Sequence, residues 1–137
     1  MAQTIALDFG IKRTGIAVTD ELKLIASGLK TVETSRLMDF LKAYSLEHAV
    51  DEVVVGQPKH VDGKIMEVER NILWFIEDLQ KEFPKLRIKR IDERFSSKIA
   101  SRHIAISGLK KKKKQSKALI DEISATLLLQ DYLNSSI

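Results

Sequence analysis

The apolar run Ile5-Ala6-Leu7, followed at once by Asp8, constrains the fold of this chain more than any other stretch. Three consecutive apolar residues without polar alternation indicate a strand that is covered on both faces, as in the centre of a layered α/β domain. A carboxylate at the end of such a strand is costly to bury unless a cation, hydrogen-bond donors or water meet it. The sequence therefore predicts a central strand that brings Asp8 to a site of this kind.

A short basic loop follows the first strand. Gly10 and Gly15 enclose Lys12 and Arg13, and the residues after Gly15 predict the returning strand of a hairpin. The carboxylate of Asp8 and the basic loop should therefore lie side by side.

The remaining segments predict a mixed sheet with helices on both faces. In chain order they are a third strand over residues 23–32 with a bulge at Gly28, a helix over 36–47 capped by Ser35, a strand over 52–56, a helix ended by Phe83 and Pro84, a strand over 86–91 and a helix over 118–133. Because a helix precedes the strand over 52–56, that strand should run parallel to the first strand. The predicted fold class is therefore α/β, with three antiparallel hairpin strands and then two parallel strands in one five-stranded sheet.

The composition narrows the classes of protein that this chain can be. Its 137 residues, 44% of them hydrophobic, are enough for one domain with a single core, and the formal charge of +4 favours polyanionic partners without proving nucleic acid. The lack of cysteine excludes disulfides, thiolate zinc sites and thiol catalysis, and the three histidines have no metal-ligand spacing. No apolar run reaches the roughly 18 residues of a membrane span, and the early first strand leaves no room for a signal peptide, so we expect a cytoplasmic protein.

Three acidic residues stand out by their positions: Asp8 at a strand end, Glu93 just after another strand, and Asp121 near the predicted start of the last helix. Carboxylates that converge from separate elements suit a hard divalent cation such as Mg²⁺ or Mn²⁺. Two such ions about 3.5–4 Å apart can activate a water and stabilise the leaving oxygen in phosphodiester hydrolysis. Each acid also has a structural alternative, as a turn former, as the ion-pair partner of Arg94 or as a first-turn acid favoured by the helix dipole. Together, the three positions favour a catalytic metal site.

Basic side chains in three places are candidate contacts to the phosphates of a nucleic acid. They are Lys12 and Arg13, Arg94, and the run Lys110, Lys111, Lys112, Lys113 and Lys114. Solvated surface charge is the alternative for the first pair and for the lysine run, which should form a mobile loop because its like charges repel. We expect Trp74, on the second helix, to be partly buried packing rather than a surface on which bases stack.

Four motifs in order also give the chain a resemblance to a known family. They are Ala6-Leu7-Asp8-Phe9-Gly10 with Gly15-Ile16-Ala17, Val54-Val55-Gly56-Gln57-Pro58 with Asp62-Gly63, Asp92-Glu93-Arg94-Phe95-Ser96, and Asp121-Glu122-Ile123-Ser124-Ala125 with Leu129-Gln130-Asp131-Tyr132-Leu133. Together these motifs span nearly the whole chain, which resembles the YqgF/RuvX family. The resemblance implies a ribonuclease H-like fold over residues 1–137 and a nuclease, described both as a Holliday junction resolvase homologue and as the enzyme that matures the 5′ end of pre-16S rRNA. The acidic positions of the family match Asp8, Glu93 and Asp121.

Two positions depart from the pattern of that family. Gln57 stands where the family commonly has Leu, so the loop after it should contact substrate differently. Relatives of the ribonuclease H type often have a fourth acid in the final helix, and Glu122 is only a weak candidate for it. The number of bound metal ions therefore stays open.

These observations predict a metal-dependent endonuclease, with Mg²⁺ or Mn²⁺ held by Asp8, Glu93 and Asp121. Its first expected substrate is structured RNA, in 5′-end processing of pre-16S rRNA with pre-ribosomal particles as partners, and branched DNA is the alternative. A nucleic-acid-binding module without chemistry is a further alternative, against which the presence of all three acids argues. A phosphotransferase of the actin and sugar-kinase type would need a second domain, which 137 residues do not supply.

Overall fold

Three strands come first along the chain, and helices and strands then alternate, in the order that the hydrophobic pattern predicts. The structure, a computed structural model, describes residues 2–57, 67–92 and 113–135, of which 113–118 and 135 are described as backbone alone. Its elements are β1 (Gln3–Phe9), β2 (Arg13–Thr19), β3 (Ala26–Glu33), a short 3-10 helix (Thr34–Arg36), α1 (Leu37–Glu47), β4 (Val50–Gln57), α2 (Val68–Glu82), β5 (Arg87–Asp92) and α3 (Lys113–Ser135). No helix in these described ranges is long and apolar enough to span a membrane.

One five-stranded sheet has β1 at its centre, in the strand order β3-β2-β1-β4-β5. The first three strands pair antiparallel, whereas β4 runs parallel to both β1 and β5. The register of β2 against β3 shifts where Ala17 pairs with Gly28, which confirms the predicted bulge. The predicted mixed sheet, with its strand directions, is therefore confirmed.

The two faces of β1 explain why its apolar run does not alternate with polar residues. Ile5 and Leu7 face a core cluster under α1 and α2, which includes Leu41 and Ile72. Ala6 faces the other side and belongs to a second cluster that is built largely by α3. Because helices cover both faces of the sheet, every position in the middle of β1 is buried.

Small residues let α3 approach the sheet closely. Ala6, Ala17 and Ala125 are fully buried where the helix crosses β1 and β2. At Gly15 the approach is closer still, because a Cβ atom there would overlap the backbone carbonyl of Asp121. Position 15 therefore needs a residue without a side chain, because the backbone of α3 cannot move aside as a flexible side chain can.

We expect Gly15→Ala to lower the free energy of unfolding by about 2–3 kcal/mol, because the added methyl group forces α3 away from the sheet. Gly28→Ala is the matched control, since its Cβ would lie 2.7 Å from the carboxylate of Glu122, the movable end of a side chain. The free energy of unfolding of Gly28→Ala should fall by less than about 1 kcal/mol. Urea unfolding followed by circular dichroism measures both, and equal losses would contradict a backbone approach that is specific to Gly15.

Two predicted helix starts were wrong. Ser35 does not cap α1, because it lies inside the 3-10 helix, and Arg36, the residue before α1, makes no side-chain cap. The last helix begins at Lys113 rather than near residue 118, so Lys113 and Lys114 are helical and not part of a loop. Lysine has good intrinsic helix propensity, and a helix whose later turns are packed extends easily by another turn.

The prediction for Trp74 was also wrong, because 59% of this residue is exposed. The core face of α2 is formed by Ile72 and Leu79, which are fully buried, with Phe75 packed beside them. Trp74 follows Ile72 by two positions, about 200° around the helix, and so points away from the core.

A buried carboxylate joins α3 to the end of the sheet that lies opposite the carboxyl end of β1. Glu52 is almost fully buried and accepts hydrogen bonds from the hydroxyl groups of Thr4, at 3.0 Å, and Tyr132, at 2.8 Å. Burial raises the pKa of Tyr132 to about 12, and the carboxylate of Glu52 adds to this rise. The hydroxyl group of Tyr132 therefore remains a donor well into the alkaline range.

Below pH 10 we expect Tyr132→Phe to be less stable than the wild type by about 1–3 kcal/mol, because Glu52 loses a donor. Tyrosine ionises near pH 10 in the unfolded chain but near pH 12 in the folded one, so the contribution of Tyr132 to stability is lost between these values as pH rises. The stability difference between the two proteins should shrink over that range. Urea unfolding at several pH values tests this, and a difference that is independent of pH would contradict it.

Candidate active site

Asp8 and Asp121 come together where α3 crosses the first hairpin. Asp8 pairs directly with Gly15 across the antiparallel strands, so both positions face the same side of the sheet. That side is the one that α3 covers, and the backbone of Asp121 lies against Gly15 itself. Because Gly15 has no side chain, the backbone of Asp121 can thus approach the strand pair that carries Asp8.

Asp121 is partly buried, and the guanidinium group of Arg13 lies close to its carboxylate. Its Oδ2 atom accepts a hydrogen bond from Nε of Arg13 at 3.2 Å. Burial raises the pKa of Asp121, and the guanidinium group of Arg13 opposes this rise. Asp121 lies in the third turn of α3, so the alternative of a first-turn acid favoured by the helix dipole does not hold.

A threonine fixes the basic loop that carries Lys12 and Arg13. The hydroxyl group of Thr34 donates to the carbonyl of Gly10 at 2.5 Å and lies 2.9 Å from the hydroxyl group of Thr14. Its backbone amide donates to the carbonyl of Lys12 at 3.0 Å. Sequence reasoning missed Thr34, because its three contacts are with residues that lie 20 or more positions earlier in the chain.

The carboxyl ends of the three parallel strands meet at one edge of the sheet. Gln57, the last residue of β4, pairs with Asp92, the last residue of β5, and β1 ends beside β4. Sites in open α/β sheets form at such an edge. Of the predicted site residues, Glu93, Arg94, Lys110, Lys111 and Lys112 lie outside the described residues, and Lys113 and Lys114 are described as backbone alone.

The side chain of Arg90 connects the elements that meet at this edge of the sheet. Its guanidinium group donates to both carboxylate oxygens of Glu69, at 2.6 and 2.9 Å, and to the carbonyls of Val55 and Gly56, at 3.1 and 3.0 Å. The side chain of Gln57 adds a longer contact to the same carboxylate, at 3.4 Å. We name these three side chains the Arg90 clasp, since they join β4, β5 and the first turn of α2.

Sequence reasoning missed the Arg90 clasp, although one signal was present. Arg90 lies between the apolar residues Ile88 and Ile91 near the end of a predicted strand, where a charged side chain needs a partner. Nothing in the linear order points to Glu69, which lies 21 positions away.

The oxygen donors at this site suit a hard divalent cation. Asp8 and Asp121 supply carboxylate oxygens on a partly buried face, which is the donor chemistry that Mg²⁺ and Mn²⁺ prefer. Glu122 does not join them, because its carboxylate packs over Gly28 on β3. Among the described residues no group of three acidic or histidine side chains comes together, and Glu93 lies outside them.

The fold is shared with a viral resolvase of known structure. The crystal structure of the fowlpox virus Holliday junction resolvase superposes with a TM-score of 0.53 and 13% sequence identity, over 97% of this chain and 99% of that one. At this identity the likeness concerns the fold alone, which is ribonuclease H-like in both strand order and strand direction.

Comparison of sequences gives the family. Residues 2–135 match the family model described as "RuvX: Holliday junction resolvase". Proteins named "Putative pre-16S rRNA nuclease" from Christiangramia forsetii and Flavobacterium johnsoniae are 51% and 49% identical, over 97% and 98% of this chain and 98% of each relative. Because the family model and these relatives cover nearly the whole chain, the chain belongs to the RuvX family.

Proposed function

We propose that this protein is a divalent-metal-dependent endonuclease that hydrolyses phosphodiester bonds in structured RNA, in the maturation of the 5′ end of pre-16S rRNA. The observation that carries the proposal is the close approach of the Asp121 backbone to Gly15, the strand partner of Asp8, near the carboxyl end of β1. The names of the relatives from Christiangramia forsetii and Flavobacterium johnsoniae support the choice of substrate. Work on precursor rRNA would place the protein in the cytoplasm, with pre-ribosomal particles as partners.

Asp8 and Asp121 would hold the divalent cation, and Glu93 is proposed as a third ligand. Glu93 directly follows Asp92, the last residue of β5, and Ile91 lies on the face of that strand that α3 covers. The described end of β5 lies at the same edge of the sheet as the end of β1, which supports the proposal. When bound, the cation supplies a Lewis acid that lowers the pKa of a water and neutralises charge on the phosphodiester.

The basic residues of the first loop orient the substrate in this proposal. Lys12 and Arg13 are exposed beside the two acids, and the contacts of Thr34 fix the backbone that carries them. Arg13 also holds the carboxylate of Asp121 in one orientation. A phosphate next to the bond to be cleaved can therefore meet Lys12, while Arg13 keeps a ligand of the metal in position.

Cleavage of branched DNA is the second candidate function. The description of the matching family model and the shared fold of the fowlpox virus resolvase favour it. The two functions use the same acids and the same cation, so they differ in the nucleic acid that the surrounding surface accepts.

The test is cleavage of both substrates by one preparation of purified protein. A precursor 16S rRNA leader and a four-way DNA junction are each incubated with Mg²⁺ or Mn²⁺, and Glu122→Gln serves as the matched acidic control. We expect site-specific cleavage of the RNA that EDTA abolishes and that the control retains. Cleavage of the junction alone would favour the second candidate, and cleavage of neither would refute the proposed function.

A further inference from the structure

A group of exposed apolar side chains lies on the side of α2 that faces away from the core. Trp74 and Leu73 are 59% and 53% exposed, although their neighbour Ile72 is fully buried. The turn between β1 and β2 adds Ile11, which is 66% exposed. Large apolar side chains that cluster on a surface in this way commonly mark a binding site.

These side chains line one open cavity, which we name the Trp74 cavity. It has a volume of about 770 Å³, and Arg70 and Asn71 also contribute to its wall. The indole ring can stack on a planar base, the guanidinium group can contact the base as a cation, and the carboxamide can form hydrogen bonds with its edge.

The Trp74 cavity lies at the end of β1 that carries Asp8, on the face of the sheet that α2 covers. The ring of Phe9 lies 5.5 Å from the ring of Phe75, measured between centroids, and this contact ties the end of β1 to the turn of α2 that carries Trp74. Asp8 immediately precedes Phe9, and Ile11 follows it by two residues. Ile11, which lines the cavity, is followed directly by Lys12 and Arg13, so the cavity begins at the loop that carries the candidate phosphate contacts, on the face of the sheet that α2 covers.

The charges around the cavity favour bases over phosphates. Glu67 and Glu69 lie on its wall, and Glu69 is already neutralised by Arg90 in the Arg90 clasp. Against these two acids, Arg70 is the one basic residue among those that line the cavity in the described part of the chain. Within the described residues the wall therefore has no excess of positive charge, and the exposed indole is better suited to the stacking of a base than to contact with phosphates.

We propose that the Trp74 cavity binds an unpaired nucleotide that flanks the cleaved bond, with its base stacked on the indole of Trp74. The inference rests on the proposed nuclease function and extends it, because it requires that the substrate have a single-stranded segment next to the cleaved bond. A fully paired duplex cannot fill the cavity without the opening of a base pair.

Trp74 is the only tryptophan in the chain, so its fluorescence reports on the cavity directly. The probes are a blunt duplex and the same duplex with a six-nucleotide single-stranded overhang, each made in RNA and in DNA and titrated without divalent cations. We expect the overhang to quench the fluorescence, and the blunt duplex to leave it nearly unchanged. Absence of quenching while the overhang probe binds would overturn the proposal.

Fluorescence anisotropy of labelled probes then measures the contribution of stacking. Trp74→Ala should bind the overhang probe about tenfold more weakly, and Trp74→Phe should lie between that variant and the wild type. The ratio of the two affinities, wild type to Trp74→Ala, should be the same at low and high salt, because stacking releases no counterions. Leu46→Ala, which removes an exposed apolar side chain on α1, is the control and should bind like the wild type.

The other outcomes separate the subsite from the proposed function. Wild-type cleavage with unchanged overhang binding by Trp74→Ala would refute the subsite alone, whereas failure of the wild type to bind any probe would refute both. If Trp74→Ala instead converts a dimer into a monomer in sedimentation, without any change in overhang binding, the cavity is an interface between two copies and the proposal is wrong.

Discussion

Asp8→Asn and Asp121→Asn should each lower the cleavage rate by at least about a hundredfold, because either change removes a charged ligand from the site that would hold the cation. The double variant should lose little beyond the worse single variant, since residues that act as one unit give effects that do not add. Single-turnover cleavage of the precursor leader, at saturating enzyme, measures the chemical step apart from binding.

Glu122→Gln is the control for this pair, because it neutralises the residue next to Asp121 while its own carboxylate packs over β3. A loss of activity in Glu122→Gln equal to that in Asp121→Asn would contradict the assignment, and so would full activity of Asp8→Asn in a preparation free of other nucleases. Thermal unfolding gives a second readout. Mn²⁺ at ten times its Kd should stabilise the wild type by about 1.4 kcal/mol and Asp8→Asn much less.

Arg90→Met should lower the free energy of unfolding by about 3–5 kcal/mol, the largest stability loss that we expect for a single side chain of this protein. The change leaves the carboxylate of Glu69, whose side chain is 6% exposed, without the guanidinium group that donates to both of its oxygens. It also removes the donors to the carbonyls of Val55 and Gly56 at the end of β4. Urea unfolding followed by circular dichroism measures the loss.

Arg87→Met is the matched control on the same strand, because Arg87 forms an exposed ion pair with Asp51 at 3.2 Å. Arg87→Met should lower the free energy of unfolding by no more than about 1 kcal/mol, as is general for the loss of a surface ion pair. The double variant Arg90→Met with Glu69→Leu should recover much of the stability, since no buried charge is then left alone. Equal losses for Arg90→Met and Arg87→Met, or no recovery in the double variant, would contradict a buried Arg90 clasp.

The fold could be predicted because its signals are local in the sequence. Ile5-Ala6-Leu7 and Val53-Val54-Val55 lack polar alternation, and strands of this kind are covered on both faces whatever the details of packing. The boundaries were less accurate. Ser35 and Lys113 show why, because the start of a helix depends on the turn that leads into it and on the later turns that hold it in place.

The candidate site could be predicted in part. Asp8, Glu93 and Asp121 each lie at or near the end of a predicted element, and in the structure the backbone of Asp121 lies against Gly15, the strand partner of Asp8. The metal-binding role of all three acids stays a prediction, as do the phosphate contacts of Lys12, Arg13, Arg94 and the lysine run. Thr34 and the Arg90 clasp could not be predicted, because their partners are distant in the chain and a hydrogen bond leaves no periodic pattern.

By itself, the sequence determined the layered α/β architecture, the parallel crossover and the strand end at which Asp8 lies, since hydrophobic period and turn residues act over a few neighbouring positions. Only the tertiary structure decided which groups meet across the sheet. The backbone of Asp121 occupies the space that a side chain at Gly15 would fill, Arg13 pairs with the Asp121 carboxylate, and Trp74 is exposed on the outer side of α2. Each of these outcomes depends on how closely α2 and α3 approach the sheet, and that distance is set by the packing of residues far apart in the chain.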